Sequence, residues 1–132
     1  MTEQEKDEEG LTYLKWSQFD SPEKGGEGTG KKFMDRNTVL LLDKVVHITK
    51  MYLDIELGYT TPHQAELLGL VSFSAHRIGK AVRIRVKHPK KRMRLITGLV
   101  KVGINRIGMS RETIYFDTDD QQPECFNLWD VR

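Results

Sequence analysis

The sequence predicts an α+β fold, with two main helices packed on a mostly antiparallel sheet, and three features of the chain point to it. From Ala81 to Lys87 apolar and cationic residues alternate, with Val82, Ile84 and Val86 on one face and Arg83, Arg85 and Lys87 on the other, the period of a half-buried strand. Two stretches, about 37–52 and 89–102, carry the longer helical period instead. Short β-prone runs at Ile107–Met109 and Thr113–Thr118 stand close enough to pair as a hairpin.

Taken in order, residues 1–10 hold one apolar side chain, Met1, too little to offset the entropy of ordering. They read as a disordered acidic tail, and residues 11–132 as a single domain. Leu11 to Asp20 carries Leu11, Tyr13, Leu14, Trp16 and Phe19, enough apolar surface to anchor onto a core. The glycine-rich stretch from Pro22 to Lys32 reads as a flexible loop. Asp35 or Asn37 supplies an N-cap for the first main helix, which Leu41, Val45, Ile48 and Tyr52, beside Leu42 and Val46, extend to about residue 52 as a core stripe. Leu53 to Leu57 follows as a short strand, Gly58 to Pro62 as a turn, and Pro62 to Leu68 as a short helix. Pro89 occupies the first turn of the second main helix, whose Ile96, Leu99 and Val102 face inward and which Gly103 closes. Cys125 to Val131 reads as a last strand.

The 132 residues, 38% hydrophobic, suffice for one core, and 30% charged residues fit a soluble globular protein. The longest apolar run, Val39 to Leu42, is far shorter than the ~18 residues of a membrane helix. Acidic residues stand at the start where a signal peptide needs a basic segment, so synthesis in the cytoplasm is expected. The single cysteine, Cys125, excludes an internal disulfide and reads as a packed small hydrophobe. The net charge of +2 hides an asymmetry: five acids against one lysine give residues 1–10 a net −4, leaving +6 on residues 11–132. Nine of the 21 Lys and Arg fall between residues 77 and 94. Beside the bland reading of a solvated face, the segment Arg77, Lys80, Arg85, Lys87, Lys90, Lys91, Arg92 and Arg94 has the charge to meet peptidoglycan, another acidic polymer or an acidic protein surface.

Several motifs carry a resemblance. Ser74-Ala75-His76-Arg77-Ile78-Gly79-Lys80-Ala81-Val82-Arg83 resembles the S-x-H-x-x-G-x-A-x-D signature of the zinc D-Ala-D-Ala carboxypeptidase family, which shares its fold with VanX-type dipeptidases and the Hedgehog signalling domain. Ser74, His76, Gly79 and Ala81 match. Trp16-Ser17-Gln18-Phe19-Asp20-Ser21-Pro22 is similar to the family's W-S-E-F-D-S-P, and Lys32-Phe33-Met34-Asp35 to its K-F-M-D. Leu57-Gly58-Tyr59-Thr60-Thr61-Pro62-His63 is similar to S-G-Y-R-T-P-x, and Val102-Gly103-Ile104-Asn105-Arg106-Ile107-Gly108 to V-G-F-N-R-I-G. Ile114-Tyr115-Phe116-Asp117 takes the place of I-H-V-D. The similarity is collinear from about residue 11 to residue 130 and implies the carboxypeptidase/Hedgehog-like fold.

The departures fall on the chemistry. The resemblance places the three zinc ligands at His76, Arg83 and Tyr115, of which only His76 retains the family residue, and the substrate-binding Arg at Thr60. Glu112 stands near the place of the family's general base, where it activates no water without a metal; it also reads as an exposed turn residue. A catalytic zinc needs about three ligands from His, Cys, Asp or Glu with one position open to water, and Arg, always protonated, cannot be one. His47 and His88 read as surface or capping residues, and His63, in the turn bordering the cleft, is the one to inspect as a replacement ligand. The Gly25 to Lys31 run lacks P-loop spacing, and there is no G-x-S-x-G elbow. Leu70, Val71 and Phe73 place apolar residues where the family's cleft is polar, which would re-line it.

The expectation is therefore a pseudoenzyme with no metal and no cofactor. In members of this size the resemblance implies a phage or prophage structural or interaction protein, a virion component among them. The alternatives are an active zinc peptidoglycan peptidase using His63, His76 and Asp117, and a module that binds peptidoglycan or an acidic polymer without cutting it. In the vacated site an Arg83 to Asp117 ion pair is expected, with Tyr115 packed where the third ligand stood.

Overall fold

Alternation at residues 81–87 produces the half-buried strand that the pattern calls for, β2 (Ala81–Arg85), with Val82 and Ile84 fully buried. The structure, a computed structural model, describes residues 10–69, 75–119 and 125–128. A short 3₁₀ turn (Trp16–Phe19) comes first, followed by α1 (Thr29–Phe33), α2 (Arg36–Thr49), β1 (Asp54–Leu57) and α3 (Pro62–Leu67). A second 3₁₀ turn (Ala75–Ile78) leads into β2, and α4 (Pro89–Lys101), β3 (Arg106–Met109), β4 (Thr113–Asp117) and β5 (Cys125–Leu128) complete the order. The five strands form one sheet in the order β1-β2-β4-β3-β5. The first four are antiparallel neighbours and β5 lies parallel to β3, so the fold is α+β with a mostly antiparallel sheet.

Both main helices start as their sequences specify. Asp35 caps α2 by accepting from the Thr38 amide at 3.0 Å. His88 caps α4 by accepting at Nδ1 from the Lys90 amide at 3.2 Å, with Pro89 in the first turn. Val39, Leu42 and Val45 of α2 and Leu95 and Leu99 of α4 are fully buried against Val82, Ile84, Ile114 and Phe116 of the sheet. Each such side chain contributes about 1.5–3 kcal/mol. The helices approach closely at Gly98, where a β-carbon would lie 2.7 Å from Thr49 Cγ2 and 3.0 Å from Val45 Cγ1.

Two expectations need correction. The first helix ends at Thr49, where Lys50 turns left-handed at φ 57°, so Tyr52 is 89% exposed and Ile48 is exposed too. The buried face is Thr38, Val39, Leu42, Val45, Val46 and Thr49, one step round the helix from the stripe read along Leu41, Val45, Ile48 and Tyr52. The glycine-rich stretch, read as a flexible loop, contains α1, and two of its glycines, Gly26 and Gly30, serve close packing instead. A β-carbon on Gly30 would meet the Trp16 carbonyl oxygen at 2.4 Å, and the Asp20 carboxylate accepts from the Gly28 and Gly30 amides. The N-terminal anchor is as expected, with Leu14, Trp16 and Phe19 buried and Asp43 accepting from the amides of Thr12, Tyr13 and Leu14. The acidic tail 1–9, Leu70, Val71, Phe73, Ser74 and the last-strand residues beyond Leu128 lie outside the described residues, as does the side chain of Cys125.

Candidate functional site

One face of the sheet packs on the helices, and the other gathers the residues singled out from the sequence. On β2 and β4, Arg83 stands directly opposite Tyr115 and Ala81 opposite Asp117. On the next strand Ile107 opposes Phe116, a register that sets Arg106 across from Asp117. His76 arrives from the 3₁₀ turn that precedes β2. Its Nδ1–H donates to the Gly58 carbonyl at 2.8 Å, and its ring meets Tyr115 edge-on, with centroids 5.5 Å apart. Thr60 is tied to it, because the Thr60 amide donates to the His76 carbonyl at 3.2 Å. His76, Thr60 and Asp117 are buried, while Arg83 and Tyr115 are half-buried.

The turn that carries His76 is held by Gly79. Its carbonyl accepts from the Asp35 amide at 2.9 Å, and the Lys80 amide donates to the Ala75 carbonyl at 3.0 Å. Asp35 thus starts α2 and is at the same time bonded to the turn that presents the imidazole.

Asp117 takes a partner different from the one expected. Arg106 donates from Nε to Oδ1 at 2.6 Å and from Nη2 to Oδ2 at 3.3 Å, and the Tyr115 hydroxyl donates to Oδ2 at 2.5 Å. The expected Arg83 to Asp117 pair is absent. The reason is register: side chains directly opposite on neighbouring strands come within about 5 Å, and diagonal ones stand about 7–8 Å apart. Arg106 is the direct neighbour and Arg83 the diagonal one. Arg106 is not among the residues singled out from the sequence; the β3–β4 register puts Arg106 and Gly108 on the face shared by Tyr115 and Asp117.

Burial pushes the His76 imidazole down from 6.5 to about 4; the Gly58 hydrogen bond opposes this, Arg83's charge adds to it, and Asp117 opposes it. Burial, together with its hydrogen bond to Asp117, pushes the Tyr115 hydroxyl far above its usual range, so it stays a phenol. An unfolded chain protonates His76 near pH 6.5, whereas the folded one resists until about 4. As pH falls through that window, His76 is therefore expected to withdraw roughly 3 kcal/mol of stability. An NMR titration of the imidazole checks this. A midpoint near the ordinary histidine value would contradict it.

These residues do not fit a zinc ion. The three positions hold one neutral imidazole, one guanidinium and one un-ionised phenol, and the nearest carboxylate has both oxygens engaged. At a separation of about 4 Å and an effective dielectric near 20, a guanidinium repels a divalent ion by roughly 8 kcal/mol. Among the described residues, no three His, Cys, Asp or Glu side chains come together closely enough to hold a metal.

The remaining candidates scatter. Glu112 is exposed in the β3–β4 turn, 3.6 Å from Lys87, and is not brought to the cluster. His63 is exposed in the first turn of α3. His47 is exposed and hydrogen-bonded to the Tyr13 hydroxyl at 2.7 Å. The basic segment is divided as well. Arg85 faces Asp54 and Glu56, and Arg92 turns inward to donate to the Val86 and Ser110 carbonyls at 2.6 and 2.5 Å. Arg77 and Lys80 are half-buried beside the His76 turn, which leaves Lys90, Lys91 and Arg94 exposed on α4. No helix among the described residues is long and apolar enough to cross a membrane. Comparisons of this chain with family models, with curated proteins and with solved structures found no match.

Proposed function

We propose that this chain is a pseudoenzyme, a non-catalytic protein on the scaffold of the zinc D-Ala-D-Ala carboxypeptidases, acting as a phage or prophage structural or interaction protein. One observation carries the non-catalytic part. The three positions that the resemblance gives to zinc ligands converge on one sheet face, yet offer one imidazole, one guanidinium and one phenol. The structural role rests on the resemblance.

The expected result is no stoichiometric zinc in the purified protein and no cleavage of D-Ala-D-Ala peptides; about one zinc per chain by elemental analysis would overturn the reading. Changing Arg83→Asp and Tyr115→His together is expected to create zinc affinity measurable by calorimetry. A folded double variant that binds none means the site has been aligned wrongly.

A second reading, a module that grips an acidic polymer, is favoured by the exposed cations of α4. Its first turns carry Lys90, Lys91 and Arg94 and no acid. Replacing these three with glutamate should abolish retention on cell-wall sacculi if that reading holds, and leave co-fractionation with virions intact.

A further inference from the structure

Arg83 is the unexplained group of this site. It is half-buried, its Nε is buried without a hydrogen-bond partner, and no carboxylate lies within ion-pair distance of it among the described residues. Buried polar groups in folded proteins are almost always paired, so one left open in a half-buried cluster calls for an account. The neighbouring charges do not supply one. Arg106 and Asp117 neutralise each other, Tyr115 spends its proton on Asp117, and the His76 ring donates to the Gly58 carbonyl.

We propose that Arg83 is the centre of an oxyanion site that takes a ligand carboxylate. The guanidinium presents a planar fork of N–H groups matched to the two oxygens of a carboxylate. One positive charge is unmatched, which favours a monoanion. A phosphate dianion would bring a second negative charge toward Asp117 and Asp119, both buried in the same region. Arg83 and Tyr115 are half-buried rather than sealed, so a ligand reaches the fork from solvent. The site is the reverse of a cation centre. It rests on the reading that these positions hold no metal.

The Arg83 side chain makes no hydrogen bond or ion pair with the described residues, so Arg83→Gln and Arg83→Lys, which keep the main-chain pairing of β2, are expected to fold normally. The probe is acetate, titrated at constant ionic strength against chloride and followed by the Arg83 Nε–Hε NMR resonance, with inorganic phosphate and zinc as separate arms. The expected result is a saturable shift with acetate, at least a tenfold weaker response to phosphate, and at least a tenfold loss of acetate affinity in Arg83→Gln. Arg83→Lys keeps the charge without the fork and is expected to fall between the two. No shift beyond that of chloride, or an Arg83→Gln variant that binds acetate as tightly as the parent, overturns the oxyanion site and leaves the non-metal reading standing. Saturable zinc binding overturns both. Phosphate binding as tight as acetate overturns the choice of a carboxylate.

Discussion

Asp117→Ala is expected to destabilise the protein by roughly 3–5 kcal/mol, the range for removing one member of a buried ion pair. The carboxylate is 2% exposed, and two Arg106 nitrogens and the Tyr115 hydroxyl donate to it. Its removal takes the Asp117 acceptor from a guanidinium at 18% exposure and from a phenol. Arg106→Ala should cost a comparable amount, and the double variant much less than the sum, since the two changes remove one interaction. Arg83→Ala is the contrasting control. With no ion pair or hydrogen bond to lose among the described residues, it should change stability by less than about half a kcal/mol. Urea unfolding of the four variants decides the matter. A large loss for Arg83→Ala with a small one for Arg106→Ala would reverse the assignment.

That contrast marks where sequence reading reaches its limit. Periodicity located β2 and α4 because their alternation and capping are local: Val82 and Ile84 against Arg83 and Arg85, His88 and Pro89 before the helical stripe. It also put Tyr115 and Asp117 on one face. Periodicity along a strand does not show which side chain of a neighbouring strand stands opposite, and that register decided between Arg83 and Arg106. The helix that ends at Thr49 failed for a related reason. The apolar period runs on through Tyr52, and only the left-handed turn at Lys50, a residue without a breaker's chemistry, ends it.

Glycine misled in the same way. A run of glycines has two opposite meanings, freedom in an open loop or the absence of a β-carbon where backbones touch. Gly25 and Gly28 meet nothing, whereas Gly26 and Gly30 sit against the backbone of residues 16–23. Composition does not separate these cases. In the candidate site, the positions quoted at His76, Arg83, Tyr115 and Thr60 came together, whereas Glu112 and His63 did not, because adjacency in sequence to a ligand position says nothing about which end of a strand or turn faces the cluster.

The site's scaffold depends most on one glycine that was legible as a motif residue. Gly79 has φ +73°, and a β-carbon there would lie 2.1 Å from the Phe33 carbonyl oxygen and 2.8 Å from Met34 Cα. The left-handed backbone alone costs a non-glycine residue about 1–2 kcal/mol. The overlap is with backbone, not with the end of a flexible side chain, so relief requires the turn and the segment before α2 to separate, which adds roughly 1–3 kcal/mol of the kind seen for overpacked cores. Separation also threatens the Asp35 amide bond to the Gly79 carbonyl, next to the Asp35 cap of α2. Gly79→Ala is therefore expected to lose roughly 2–5 kcal/mol, by the sum of these two effects, and to displace His76 from Gly58. The Gly103→Ala variant separates strain from overlap. Gly103 shares a positive φ of 93° but has nothing within 4 Å of a β-carbon, so it should lose only the backbone share, about 1–2 kcal/mol. Equal losses in denaturant unfolding would mean that the contact with residues 33–35 contributes nothing. A larger loss for Gly79→Ala, with the His76 imidazole resonance shifted in that variant alone, is the expected outcome.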